Sequence, residues 1–194
     1  MRILGVLAAV ALLCAGCGEQ VAATHPAGHG PSAGAATTPG AREIRLGGGG
    51  TFTGPAPRAS AIVYDTALVP PRASARVTVE SGAVLATATV SVKGMLPGRT
   101  YGAHLHVNAC GYQPEDAGPH YQHSHTHASA ENEVWLDFTT DLRGDATATT
   151  TQDWALVPGR LPRSLVIHAE PTRTAGAEAG AAGPRVACVT LTER

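Results

Sequence analysis

Nine histidines are spread along the 194 residues, and seven of them fall between positions 104 and 168. His104 and His106 stand at i and i+2 in the segment YGAHLHV. On an extended strand, residues two apart leave the same face, so both imidazoles project side by side from a rigid support. Such a pair chelates a metal at little ordering cost, although an HxH pair alone is a weak signal. His120 follows in AGPHY and His168 in SLVIHAE. Four imidazoles gathered at one point, with no Cys thiolate or Met thioether among them, suit Cu(II) in a roughly square-planar field. A blue-copper centre fits less well, because it needs a Cys ligand and Met95 is the only methionine after the initiator. A second group, His123, His125 and His127, lies in HYQHSHTH. Its spacing of two allows a second metal, with Glu131, Glu133 or Asp137 adding a carboxylate. The competing reading is a mobile polar loop that binds metals loosely.

The elements that must position these groups read as strands. SAIVYDT, ARVTVES, AVLATATVSVK, YGAHLHV, VWLDFTT, DATATTT, SLVIHAE and RVACVTLT are short and rich in Val, Thr and Ile. They alternate in part, and Gly, Pro, Asp or Asn punctuate them. That pattern predicts an all-β domain over residues 58–194, an antiparallel sandwich or flattened barrel of about eight strands. No stretch carries helical periodicity with caps. Two gaps, 108–132 and 171–184, exceed hairpin length, and long ordered loops on a β scaffold are where function tends to sit.

The N-terminus sets the expected compartment. Arg2 precedes an apolar run that is too short to span a membrane but has the length of a signal-peptide core. The run ends in Ala15-Gly16-Cys17-Gly18, which resembles the bacterial lipobox; Cys14 stands where leucine is usual. Residues 1–17 are therefore read as a signal peptide with lipidation at Cys17, the alternative being plain cleavage near Ala15 or Ala23. The expected location is the outer face of the cell membrane, with membrane contact through the anchor only. Residues 18–57, rich in Gly, Ala, Pro and Thr, read as a flexible tether. His25 and His29 within it read as solvated tether residues. Setting Cys14 and Cys17 aside leaves Cys110 and Cys188, and two cysteines in an exported domain favour a disulfide over buried thiols. A net charge of −1 gives no electrostatic case for nucleic acid.

Taken together these residues carry a family resemblance. VKGMLPGRTYGAHLHV resembles the stretch of the copper/zinc superoxide dismutases in which an LxPG turn leads into a GxHxH copper strand. AGPHY is similar to the segment holding the imidazole that bridges copper and zinc, and SLVIH to the strand of the fourth copper ligand. GPRVACV resembles the C-terminal motif whose arginine guides superoxide and whose cysteine closes a disulfide. The four motifs occur in family order. The resemblance implies a Greek-key β-sandwich with two long functional loops and one copper per chain on His104, His106, His120 and His168. It further implies a Cys110–Cys188 disulfide, Arg185 as anion guide, Gly102 as the small residue before the copper strand, and His120 as the ligand that carries a proton during turnover.

The departures concern zinc. ENEVWLDFTT has no histidine and puts Val134 near the place of the family's zinc aspartate. Thr172 stands roughly where the family has an aspartate linking the two metal sites. The expected result is a copper protein with zinc weak or missing, in which Glu131, Glu133 or Asp137 orients the far nitrogen of His120. The expected activity is dismutation of superoxide to dioxygen and hydrogen peroxide. The alternatives are a copper-buffering lipoprotein with little turnover, and a β-sandwich adhesion or inhibitor module with vestigial histidines. The sequence does not set the oligomeric state.

Overall fold

The computed structural model describes residues 43–194. The signal-like run, Cys17, His25 and His29 lie outside the described residues. Among the described residues no helix is long and apolar enough to cross a membrane.

Ten strands follow in order: β1 (Ile44–Thr51), β2 (Ala61–Val63), β3 (Ser74–Ser81), β4 (Ala86–Lys93), β5 (Thr100–His106), β6 (Phe138–Thr139), β7 (Ala146–Gln152), β8 (Ser164–His168), β9 (Arg185–Thr190) and β10 (Thr192–Glu193). Among the described residues the helical content is a single 3-10 turn, Pro114–Ala117. The strands form two five-stranded antiparallel sheets, ordered β10-β1-β3-β4-β7 and β2-β9-β8-β5-β6.

The first sheet follows from alternation. Along β4, Ala86, Ala88, Val90 and Val92 point into the core, while the hydroxyl residues between them face out. There Thr87, Thr89 and Ser91 meet Thr151, Thr149 and Thr147 of β7 at 3.0, 2.9 and 3.0 Å. Such cross-strand hydroxyl pairs stabilise a solvent-facing ladder.

The second sheet is buried on both sides. In β5, Ala103 and Leu105 enter the core between the sheets, as Leu165 and Ile167 of β8 do. Their neighbours His104, His106 and His168 take the opposite face, yet these too are buried. The segments 107–137 and 169–184 cover that outer face. A strand sealed on both faces loses the polar–apolar alternation, which is why SLVIH reads as a continuous apolar run.

Two expectations about the elements need correction. The tether, expected to run to residue 57, gives way to strand by residue 44, and β1 pairs with β3 over eight residues from Ile44↔Ser81 to Thr51↔Ser74. Ile44 and Leu46 do alternate inward, but the glycines at 47–50 hide the rest of the pattern. Glycine is demanded there by a close backbone approach: a Cβ on Gly48 would collide with the Thr190 carbonyl. The described sheet therefore already includes residues 44–51, ahead of the boundary expected at residue 58. In VWLDFTT, only Phe138 and Thr139 form a regular ladder; Trp135 makes an isolated bridge to His104. The described residues form ten strands because β1 was hidden and RVACVTLT divides into β9 and β10.

Candidate metal centre

Three histidines are placed by the second sheet itself. His104 and His106 leave β5 on one face. His168 ends β8 directly opposite Gly102 of β5, and a register shift between Ile167 and His168 re-aims the strand end there. His120 arrives from the long loop through a bridge to His106, fixed by the Tyr121 N–H donating to the Leu105 carbonyl at 2.8 Å. The His104 ring centroid lies 4.3 Å from that of His120 and 4.8 Å from that of His168. One nitrogen from each of the four rings lies within 4.8 Å of all the others. Among the described residues this is the one group of three or more His, Cys, Asp or Glu placed to hold a metal.

The hydrogen-bond partners settle the tautomers. His106 Nδ1 donates to the Gly118 carbonyl at 2.9 Å and His168 Nδ1 to the Gly183 carbonyl at 3.2 Å. Carbonyls only accept, so both protons sit on Nδ1, and each Nε2 keeps a lone pair. These two Nε2 atoms are buried with no hydrogen-bond partner. His120 Nδ1 donates to Glu133 Oε2 at 2.7 Å. His104 Nε2 lies 2.6 Å from Thr172 Oγ1, whose own proton goes to Asp137 Oδ1 at 2.6 Å. His104 Nε2 must therefore be the donor, and Nδ1 the lone pair. His104 Nδ1 and His120 Nε2 then face each other at 3.1 Å, an arrangement that a cation between them makes favourable. Four inward lone pairs on neutral imidazoles, two of them orphaned and buried, fit one copper ion.

Electrostatics keep His104, His106 and His168 unprotonated. Burial, and then repulsion from the other histidines and Arg185, push His104 far below the usual histidine range. Burial and His120 together push His106 down to about 2, against the opposing effect of the Gly118 bond. Burial pushes His168 down to about 4. Histidines held neutral at pH 7 need lose no proton before they ligate.

Of the three candidate carboxylates, only Glu133 reaches His120. Its Oε2 also accepts from Trp135 Nε1 at 2.7 Å, and its Oε1 accepts from Gln122 Nε2 at 2.8 Å. Burial opposes its ionisation, but the bonds from His120, Gln122 and Trp135 outweigh burial and hold it below the ordinary glutamate value. Gln152 of β7 fixes the same segment, donating to the Glu133 and Ala130 carbonyls at 2.6 and 2.8 Å. Asp137 serves His104 through Thr172 rather than His120. Glu131 is exposed: its carbonyl accepts from Trp154 Nε1, and its carboxylate is engaged by Ser129 and its own backbone rather than by His120.

The second histidine group does not converge. His123 lies flat on Trp154, with ring centroids 4.6 Å apart. His125 stands on the rim of a cavity of about 290 Å³ that His120, Gln122, Glu133 and Arg160 also line. His127 is exposed, and its carbonyl accepts from Asn132. The turn that Asn132 and Ser124 tie together spreads the three rings instead of stacking them on one strand face.

Arg185 is half-buried beside the cluster. Its Nη1 and Nη2 donate to the Pro114 and Gly118 carbonyls at 2.9 and 2.8 Å, so it shares the Gly118 oxygen with His106. Cys110 and Cys188 form the expected disulfide, with Cα atoms 5.8 Å apart, tying the loop to β9 three residues from Arg185. Gly102 accepts the close approach of the 169–184 segment: an added Cβ would lie 2.6 Å from Ala182 Cβ and 2.7 Å from the Glu170 carbonyl.

A sequence profile of the copper/zinc superoxide dismutases matches residues 73–191, from the start of β3 through β9. The chain belongs to the copper/zinc superoxide dismutase family. A search of curated protein sequences gave no match. Membership makes the chain a superoxide dismutase-like oxidoreductase with superoxide as substrate, and the two antiparallel sheets agree with that family's Greek-key sandwich. The family binds copper, and the four-histidine cluster is where this chain can hold a metal. Family motifs alone did not reveal Gln122, Trp135 or the hydroxyl of Thr172. The spacing of Glu133 and Trp135, two apart in an extended segment and so on one face, is the signal that could have found Trp135.

Proposed function

We propose that this chain is a copper-dependent superoxide dismutase of the bacterial cell envelope, using one copper per chain and no firmly held zinc. The observation that carries the reading is that every outward imidazole nitrogen is engaged while four inward lone pairs meet. Copper held by His104, His106, His120 and His168 would supply the one-electron chemistry that converts two superoxides and two protons into dioxygen and hydrogen peroxide.

The chain's own residues do the rest. His104, His106 and His168 are buried, and their rings are locked by neighbours; His120 is the partly exposed member. The His120 Nδ1 proton is held by Glu133, so Nε2 is the atom that can take up and deliver a proton. The ionised Glu133 stabilises the imidazolium so formed. Arg185 contributes a fixed positive charge that draws superoxide toward the cluster. The nitrogen of His120 that would face zinc in the family is bonded instead to Glu133, which supports the copper-only reading. The lipobox-like Cys17 and the apolar run before it support export and anchoring.

The test is to load the full chain with one copper and measure superoxide consumption beside a His104→Ala variant. The expected result is copper-dependent consumption in the wild type and its loss in the variant. Consumption no greater than the protein-free background would refute catalysis and leave a copper-holding role.

A further inference from the structure

Thr172 occupies the place where the family resemblance implies a linking aspartate, and its contacts make a device of a different kind. Its backbone N–H donates to Asp137 Oδ2 at 2.7 Å, and its hydroxyl donates to Asp137 Oδ1 at 2.6 Å. The Ala103 N–H, beside His104 on β5, donates to the same Oδ1 at 3.2 Å. Asp137 thus grips the strand that carries His104 and the loop residue that touches its ring. Gly102 makes the approach possible: its N–H donates to the Glu170 carbonyl at 2.8 Å, and a Cβ there would lie 3.1 Å from Thr172 Oγ1.

We propose that Thr172, backed by Asp137, is a positioning residue that locks His104 in the Nε2-protonated tautomer and so presents Nδ1 to the metal. The reasoning rests on the copper reading above for the identity of the metal, but not for the tautomer. The hydroxyl has one proton, and the carboxylate takes it; what remains toward His104 is an acceptor, which only the Nε2–H form satisfies. The negative charge of Asp137, relayed through that hydroxyl, strengthens Nδ1 as a donor. The same 169–184 segment supplies the Gly183 carbonyl that fixes His168. One short loop therefore sets the tautomers of two of the four histidines.

The experiment uses the full chain with labelled histidines. In the metal-free protein, imidazole nitrogen shifts report which nitrogen of His104 carries the proton; in a second arm, chelator competition gives Cu(II) affinity. Thr172→Val is expected to leave His104 as a mixture of tautomers, with His106 and His168 unchanged as internal controls. It should weaken Cu(II) binding by about 10–100-fold, the usual effect of removing a partner of a ligating histidine. Thr172→Ser should restore both the tautomer and the affinity, and Asp137→Asn should weaken both. A Thr172→Val protein that keeps a single Nε2–H tautomer and wild-type affinity would overturn the proposal, as would failure of Ser to rescue. If the valine variant does not fold, Thr172→Ala is read in its place. A wild type that fails to bind copper would refute the copper reading, while the tautomer arm still decides the role of Thr172.

Discussion

Replacing Glu133 by glutamine separates what the carboxylate does for the metal from what it does for the fold. Glu133 is buried and accepts three side-chain hydrogen bonds, from His120, Trp135 and Gln122, at 2.7, 2.7 and 2.8 Å. A glutamine can keep all three if the Gln122 amide turns over, but each becomes a neutral bond. Charged bonds contribute about 1.5–3 kcal/mol and neutral ones about 0.5–1.5, so the loss is on the order of 1 kcal/mol per bond, roughly 3 in all. Relief from burying a charge acts in the other direction and is worth several kcal/mol. The two nearly cancel, and metal-free stability should move by less than about 2 kcal/mol. Copper affinity has no such offset, because His120 loses the charge that polarises its ring, and it should fall about 10–100-fold. Glu133→Ala should differ in kind: three donors are left unpaired at about 1–3 kcal/mol each, so the fold itself weakens by several kcal/mol. Guanidinium unfolding of the metal-free protein and chelator competition at pH 7 read the two quantities. Copper affinity within twofold of wild type in Glu133→Gln, or glutamine and alanine equally damaging to the fold, would refute the reasoning.

Acid should unfold the metal-free protein early. His104, His106 and His168 have folded pKa values depressed below the unfolded value of about 6.5, so their effect on stability is flat above that pH and destabilising as pH falls below it. At pH 5.5, relative to a pH well above 6.5, three groups at about 1.36 kcal/mol each remove up to roughly 4 kcal/mol, measurable by denaturant unfolding at about pH 7.5 and pH 5.5. Replacing both Cys110 and Cys188 by alanine should lower stability by about 4–5 kcal/mol in the chain-entropy treatment of a bridge spanning 78 positions, read from the guanidinium midpoint. Arg185→Gln should slow superoxide consumption by about tenfold and flatten its dependence on ionic strength, with copper content unchanged. Gly102→Ala should cost about 1–3 kcal/mol, because the new methyl lies against Ala182 and the Glu170 carbonyl and displaces the loop that holds His104 and His168.

The four histidines of the candidate metal centre are legible in the sequence for unequal reasons. His104 and His106 declare a shared face through their spacing alone, whereas His120 and His168 need the family motifs, because their approach depends on a loop bridge and a strand irregularity. Glu133 stands among three acidic candidates that no local rule separates; the turn at 123–132 decides which one meets His120. The loss of a linking aspartate at position 172 is legible, but its replacement is not, since Thr172 and Asp137 lie 35 positions apart in the chain and meet only through folding. His123, His125 and His127 mislead for the opposite reason: a spacing of two implies a shared face only on a strand, and here it falls on a turn. β1 escapes notice because glycine, required where the Thr190 backbone presses on Gly48, carries no side-chain pattern.

Metal content bears most directly on the central claim, that four histidines hold one copper while Glu133 takes the place of a zinc ion beside His120. The full chain is given excess copper and zinc together, dialysed against a weak chelator, and analysed for both metals. The account predicts close to one copper per chain, with zinc at trace level. Stoichiometric zinc retained beside the copper, or a chain left without copper, would contradict it.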